Sequence, residues 1–247
     1  MKVMEIGLGH VTQSNGITTC YLPAHDNQAY HNAQIDDYAG LRRREFKWTP
    51  PLKMTVRAHA SHEHLAGTAG FGFWNQPFMP GSDMVPRVPR AVWFFYASPP
   101  SNMAFVDGIP GNGWKCATFD SQNALFFALA PFAPLGMLLM RNPVLYRKIW
   151  PALGQRALKV SEHALDAELT QSHTYSLIWR EDGVDFSVDH EPVHHSPYSP
   201  SGRLGFVAWL DNQYAIVTPQ GKFGFGYVER KEPQHLVLER IEIEKLS

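Results

Sequence analysis

An all-β fold, a sandwich or jelly roll of two antiparallel sheets with a short helical insertion, is what the sequence predicts. Aromatic residues make up 13% of the 247 positions, a bias that favours strands and stacking surfaces over helical bundles. Nineteen Gly and nineteen Pro supply frequent turns. Short strand-like runs recur along most of the chain, separated by turn signals such as Glu181-Asp182-Gly183 and Pro200-Ser201-Gly202, and that regular spacing is the signature of a sandwich.

The first clear strand lies within 52–73, where Leu52, Met54, Val56 and Ala58 alternate with Lys53, Thr55, Arg57 and His59. This is period two, one face buried and the other not. Further strands are predicted over 91–97, 173–180, 184–188, 204–210, 214–218, 223–227 and 235–244. Residues 121–161 break the pattern. They are rich in Ala, Leu and Met, are cut by Pro131, Pro134, Pro143 and Pro151, and read as two or three short helices. With no linker or repeat elsewhere, the expected organisation is one domain over 1–247 carrying a helical insertion at 121–161.

That insertion has an unusual composition. Residues 124–140 contain no charge, yet their two prolines and short length argue against a membrane-spanning helix. All five charges of 121–161 are basic, namely Arg141, Arg147, Lys148, Arg156 and Lys159; subtracting them from the formal −1 leaves −6 for the rest. A helical subdomain packed on the sheet is the first reading, a lid over a pocket the second, and contact with an anionic membrane the least expected. Its Leu, Met and Phe content also makes it a natural homodimer surface.

Several function classes are excluded early. Twenty-two basic and twenty-three acidic residues leave no electrostatic footprint for nucleic acid. Cys20 and Cys116 cannot form a CxxC site, and so few cysteines suit a reducing compartment. Met1 to Gly9 contains no apolar run of signal-peptide length, so a cytoplasmic protein is expected. The nucleophile elbow, the P-loop and the dinucleotide fingerprint are missing; Gly70-Phe71-Gly72 and the glycines of 221–226 read as strand-edge glycines. His59, His62 and His64 surround Glu63, but on a strand His59 points away from the other two, so no metal site is expected. No cofactor is implied, and His194-His195 reads as loop.

Three segments carry a family resemblance. His173-Thr-Tyr-Ser-Leu-Ile-Trp179, the turn Glu181-Asp182-Gly183 and Val184-Asp-Phe-Ser-Val-Asp189 resemble the "HTY, W, turn, IxFYVDG" strand pair of family 16 glycoside hydrolases, the laminarinase and lichenase group. Arg57-Ala58, Leu65-Ala66-Gly67 and Phe71-Gly72-Phe73-Trp74 are similar to that family's "RAK, LPG, WPAFW" stretch, in the same order. Leu204-Gly-Phe-Val-Ala-Trp-Leu210, followed by Asp211-Asn212-Gln213, sits where the family has a late strand lining the cleft. The resemblance implies a concanavalin A-like jelly roll whose inner, concave sheet can hold a sugar chain.

The departures are as informative. The family's catalytic strand reads ExDxE, because only alternate side chains of a strand reach one face and a retaining mechanism wants its carboxyl groups about 5 to 5.5 Å apart. The corresponding strand here is Val92-Trp-Phe-Phe-Tyr-Ala97, which contains no acid. His190 also stands where the family has Gly after Asp189, and the Trp-Pro of its earlier element is missing. The typical enzymes are secreted. A calcium ion on the convex side is common among them, and no acidic loop here is specific enough to claim one.

A cleft on such a fold would draw on Trp74, Asn75, Trp93, Phe95, His173, Trp209, Asp211, Asn212 and Tyr214. Aromatic rings stack on sugar faces, while Asn and Asp fix orientation through hydrogen bonds. The expected function is binding of a carbohydrate or another small molecule in that aromatic cleft without the family's hydrolysis. Two alternatives stand beside it: a hydrolase using displaced carboxylates, with Asp211 and Glu63 as the pair, and a protein acting on an apolar metabolite beneath the helices.

Overall fold

A computed structural model describes residues 1–77 and 87–246. Its strands are β1 (Lys2–Ile6), β2 (His10–Ser14), β3 (Ile17–Leu22), β4 (Asn32–Asp36), β5 (Leu52–Ala60), β6 (Thr68–Trp74), β7 (Arg90–Ala97) and β8 (Gly113–Asp120), then β9 (Ser161–Ala164), β10 (His173–Trp179), β11 (Val184–Val188), β12 (Glu191–Ser196), β13 (Gly205–Asp211), β14 (Gln213–Val217), β15 (Phe223–Tyr227) and β16 (Gln234–Lys245). They form two seven-stranded antiparallel sheets, ordered β1-β4-β13-β6-β7-β8-β9 and β12-β11-β10-β5-β16-β3-β2, with β14 and β15 as a separate hairpin. The predicted jelly-roll sandwich is the observed fold.

Alternation decides which side chains meet between the sheets. In β5, Leu52, Met54, Val56, Ala58 and Ala60 are buried, the face that period two assigns to the core. Phe71, Phe73, Phe94 and Phe206 enter from one sheet and Tyr175, Leu177, Trp179 and Phe186 from the other. Phe94 is central, with ring centroids 5.2 Å from Tyr175, 5.5 Å from Phe186 and 5.6 Å from Phe71, spacings at which edge and tilted aromatic contacts are favourable. Burying side chains of this size stabilises the fold by about 1.5 to 3 kcal/mol each.

Two expectations are corrected by this geometry. The strand predicted over 52–73 is two strands, β5 and β6, in different sheets, because the chain turns between Ser61 and Gly67. Four strands of the first 36 residues, together with β8, β9 and β12, were not predicted. In β3 the signal was present: Thr18, Cys20 and Leu22 are buried and alternate with more open neighbours, but two threonines and a cysteine weaken the contrast on which periodicity depends.

Between β8 and β9 the chain forms four short helices, α1 (Ala124–Leu129), α2 (Ala133–Met140), α3 (Pro143–Ile149) and α4 (Gln155–Leu158). Asn123 caps α1 by accepting from the Phe126 N–H, and Asn142 caps α3 by accepting from Val144 and Leu145. Within the four helices only Met140 and Ala157 are buried. The segment is held to its surroundings by few contacts, among them Trp150 Nε1 donating to the Phe105 carbonyl at 2.6 Å. No helix among the described residues is long and apolar enough to cross a membrane.

Candidate functional site

The sheet containing β6, β7 and β13 has one face in the core and one turned outward, and its register fixes which residues occupy the outward face. Trp93 sits opposite Gly72 on β6 and Ala117 on β8; Phe95 sits opposite Gly70 and Lys115. Trp209 of β13 lies across Gly70 on the other side. A Cβ on Gly70 would come within 3.0 Å of Trp209 Cη2, and one on Gly72 within 2.6 Å of Trp93 Cβ. Gly70 therefore leaves room for the Trp209 ring, and both glycines allow the close approach of the β7 backbone. Trp93 lies 5.4 Å from Phe95, 5.6 Å from Trp209 and 6.1 Å from Trp74, centroid to centroid. Trp74 is fixed by donating its Nε1–H to Tyr38 Oη at 2.6 Å. The result is a half-buried aromatic platform with Trp93 at its middle.

Among the described residues, Asp36 and Asp211 on this face are hydrogen-bonded within the protein. Asp36 accepts from the Tyr38 and Ala39 N–H groups and from Gln34. Asp211, 4% exposed, accepts from the Thr68 N–H and Oγ1–H, from the Gln213 N–H and from Tyr30 Oη. Burial raises the Asp211 carboxyl to about 6, and those hydrogen bonds oppose the rise. Glu162 lies beneath the loop joining β7 to β8, its Oε1 3.4 Å from Lys115 Nζ, which also donates to the Met103 and Pro110 carbonyls. Burial pushes the lysine down and the glutamate up, each held back by the other's charge.

An open groove of about 550 Å³ adjoins the Asp211 end of the platform, lined by Asn27, Gln28, Pro100, Tyr214, Tyr227 and Glu229 among others. A polar relay joins groove and platform. Tyr227 stacks on Tyr30 at 5.9 Å, Tyr30 bonds Asp211, Asp211 bonds Thr68, and Thr68 Oγ1 accepts from Trp209 Nε1 at 2.9 Å. The volume lies within the usual range for small-molecule sites, and two tyrosines beside two amides and a carboxylate provide both ring faces and hydrogen-bonding groups.

Among the predicted site residues, Trp74, Trp93, Phe95 and Trp209 come together, and Tyr214 lines the groove. Asp211 reaches them only through Thr68, and the others do not join them. His173 belongs to β10 in the opposite sheet, opposite Ala58, and shares a 2.5 Å hydrogen bond with Asp189. Asn75 is fully buried, donating to the Val88 carbonyl and accepting from the Arg90 N–H. Asn212 is equally buried, accepting from the His31 N–H and donating to the Ala29 carbonyl. These amides pin loops, as Asp211 pins the ends of β6 and β13. Glu63 caps a turn by accepting from the N–H groups of Leu169 and Thr170 and from the Thr170 hydroxyl, so both members of the displaced-carboxylate pair are engaged in hydrogen bonds within the protein. Sequence reasoning missed Tyr30, Tyr227, Asn27, Gln28 and Glu229. Only the alternation in Phe223-Gly-Phe-Gly-Tyr227 marked any of them, and it marked a strand, not a site. Among the described residues no group of three or more His, Cys, Asp or Glu is arranged to hold a metal ion.

No protein-family model matches the chain, and no curated protein matches it. Solved structures do match. An endo-acting O-glycanase of the human gut microbiota, from a group that initiates mucin breakdown, superposes with a TM-score of 0.53 at 11% identity, over 98% of this chain and 85% of that one. The κ-carrageenase of Pseudoalteromonas carrageenovora, in complex with an oligotetrasaccharide of κ-carrageenan, gives 0.50 at 10% identity over 94% and 81%. The GlcNAcα1-4Gal-releasing endo-β-galactosidase of Clostridium perfringens gives 0.50 at 12% identity, over 96% of this chain and 57% of that one. At such identities the likeness shows the fold alone, a jelly-roll sandwich of two antiparallel sheets.

Proposed function

We propose that the chain binds a carbohydrate along the aromatic platform and the adjoining groove, and that it does so without two-carboxylate glycoside hydrolysis. One observation carries this reading. The outward positions of β7, the strand that by the sequence resemblance corresponds to the family's catalytic strand, hold Trp93 and Phe95. Hydrolysis through either geometry needs two carboxyl groups flanking one bond, about 5 to 5.5 Å apart for retention or about 6.5 to 9.5 Å for inversion. The carboxylates Asp36 and Asp211 on this face are instead buried and hydrogen-bonded internally. Rings in their place offer flat apolar surfaces to the C–H faces of a sugar, and Asn27, Gln28 and Glu229 offer hydrogen bonds at one end. The carrageenase neighbour's bound oligosaccharide supports the class of ligand.

The test is a thermal-shift screen against β-glucan, carrageenan and mucin-type oligosaccharides and a set of apolar metabolites, with reducing ends assayed in parallel. A ligand at about 100 times its dissociation constant stabilises the native state by about 2.7 kcal/mol. The expected result is stabilisation by an oligosaccharide with no new reducing ends. Release of sugar would overturn the non-hydrolytic reading, and stabilisation by apolar compounds alone would remove carbohydrate.

A further inference from the structure

We propose that the helices α1–α4 and the β14–β15 hairpin form a single face that docks on the surface of an anionic lipid bilayer, irrespective of what the cleft binds. The helices turn large apolar side chains to solvent: Phe127 of α1 is 56% exposed and Leu138 of α2 59%. The hairpin does the same with Phe223 at 64% and Phe225 at 61%, which the strand register places on one side of the pair with Val217. The two patches adjoin. A Cβ at Gly221 would lie 3.1 Å from Met137 of α2, and Arg141 Nε reaches the Gln220 carbonyl at 3.5 Å.

Charge identifies the occupant. Residues 121–161 carry Arg141, Arg147, Lys148, Arg156 and Lys159 and no acid, and hairpin residues 213–227 add Lys222, again with no acid. The acids that flank the helices, Asp120 and Glu162, are buried; Asp107 on the β7–β8 loop is close enough to influence Tyr146, and Glu229 lies beside Tyr214 and Tyr227, at the end of the hairpin away from Lys222. Apolar side chains among cations, with no anion on the same elements, match a surface of acyl chains beneath anionic headgroups. A second copy of the chain is a poorer occupant, because a two-fold interface would set six cations against six others. Short helices suit such a face, since they lie in the interface instead of crossing it.

The experiment is co-sedimentation of the whole chain with phosphatidylcholine vesicles and with vesicles that also contain phosphatidylglycerol. Binding to the anionic vesicles is expected to exceed binding to the neutral ones by at least about tenfold and to fall with added salt. Leu135→Glu with Leu138→Glu should abolish it, and Arg147→Glu with Lys148→Glu should weaken it about tenfold or more. Phe225→Ser, on the other element of the face, should also weaken it. Unchanged near-ultraviolet circular dichroism and melting temperature identify each variant as folded. Failure of the folded wild type to pellet with anionic vesicles would overturn the proposal, as would equal pelleting with both kinds. So would a wild-type dimer in sedimentation velocity that Leu138→Glu dissociates while vesicle binding is absent.

Discussion

The platform around Trp93 and the helical face around Leu138 are both apolar and aromatic, yet the molecule treats them in opposite ways. On the platform every ring has partners: Trp93 meets Trp74, Phe95 and Trp209, and the indole N–H groups of Trp74 and Trp209 reach Tyr38 and Thr68. On the helices Phe127, Leu135 and Leu138 stand in solvent. The difference lies in the backbone beneath. A sheet supplies neighbouring strands at fixed spacing on both sides of each side chain, whereas short, proline-interrupted helices bury only what docks on them. Apolar composition alone thus does not distinguish a core, a ligand platform and an interaction face; the partners do.

The largest effect is expected at the core side of β7. Phe94→Ala removes a ring packed against Phe71, Tyr175 and Phe186 and should lower unfolding free energy by about 3 to 5 kcal/mol, measured by urea denaturation. Next is the buried acid that anchors the platform. The Asp211 carboxyl stands at about 6 in the folded chain against 3.8 as its ordinary value. Between those values the folded state holds more protons than the unfolded state, so stability falls as pH rises through that window. The loss is about 3 kcal/mol once pH exceeds the folded value. Asp211→Asn keeps an acceptor for the Thr68 and Gln213 N–H groups and should be the more stable protein at pH 8, with the advantage fading toward pH 4, as chemical denaturation at each pH would read. A smaller effect is expected at the β11–β12 turn, where His190 holds φ at +72°. His190→Gly should raise stability by about 1 kcal/mol. The smallest belongs to the helical face: Leu138→Ser should change stability by less than about 0.5 kcal/mol, despite replacing a leucine.

What could be read in advance follows the same physics. The aromatic, β-branched runs of β7, β10 and β13 declared an all-β fold, and alternation in β5 declared its core face. The platform was legible for the same reason: Trp93 and Phe95 had to share a face opposite Phe94. The polar candidates were not. Asn75, Asp211 and Asn212 looked like cleft residues by type, but their hydrogen-bond partners come from Val88, Tyr30, Thr68, His31 and Ala29, several of them far away in sequence. His173 was misassigned because its neighbours in the chain reveal nothing about which sheet β10 joins. The groove escaped notice since its lining is gathered from segments around 27, 100, 214 and 227.

The central claim, binding on the Trp93 platform without hydrolysis, is tested most directly by one titration. Tryptophan fluorescence of wild type and Trp93→Ala would be followed against the best oligosaccharide from the screen, with reducing ends counted in the same samples. The expected result is a saturable change in wild type, at least about tenfold weaker binding in Trp93→Ala, consistent with the loss of one stacking ring, and a constant number of reducing ends. Equal affinity in the two proteins, or reducing ends that accumulate with wild type, would contradict it.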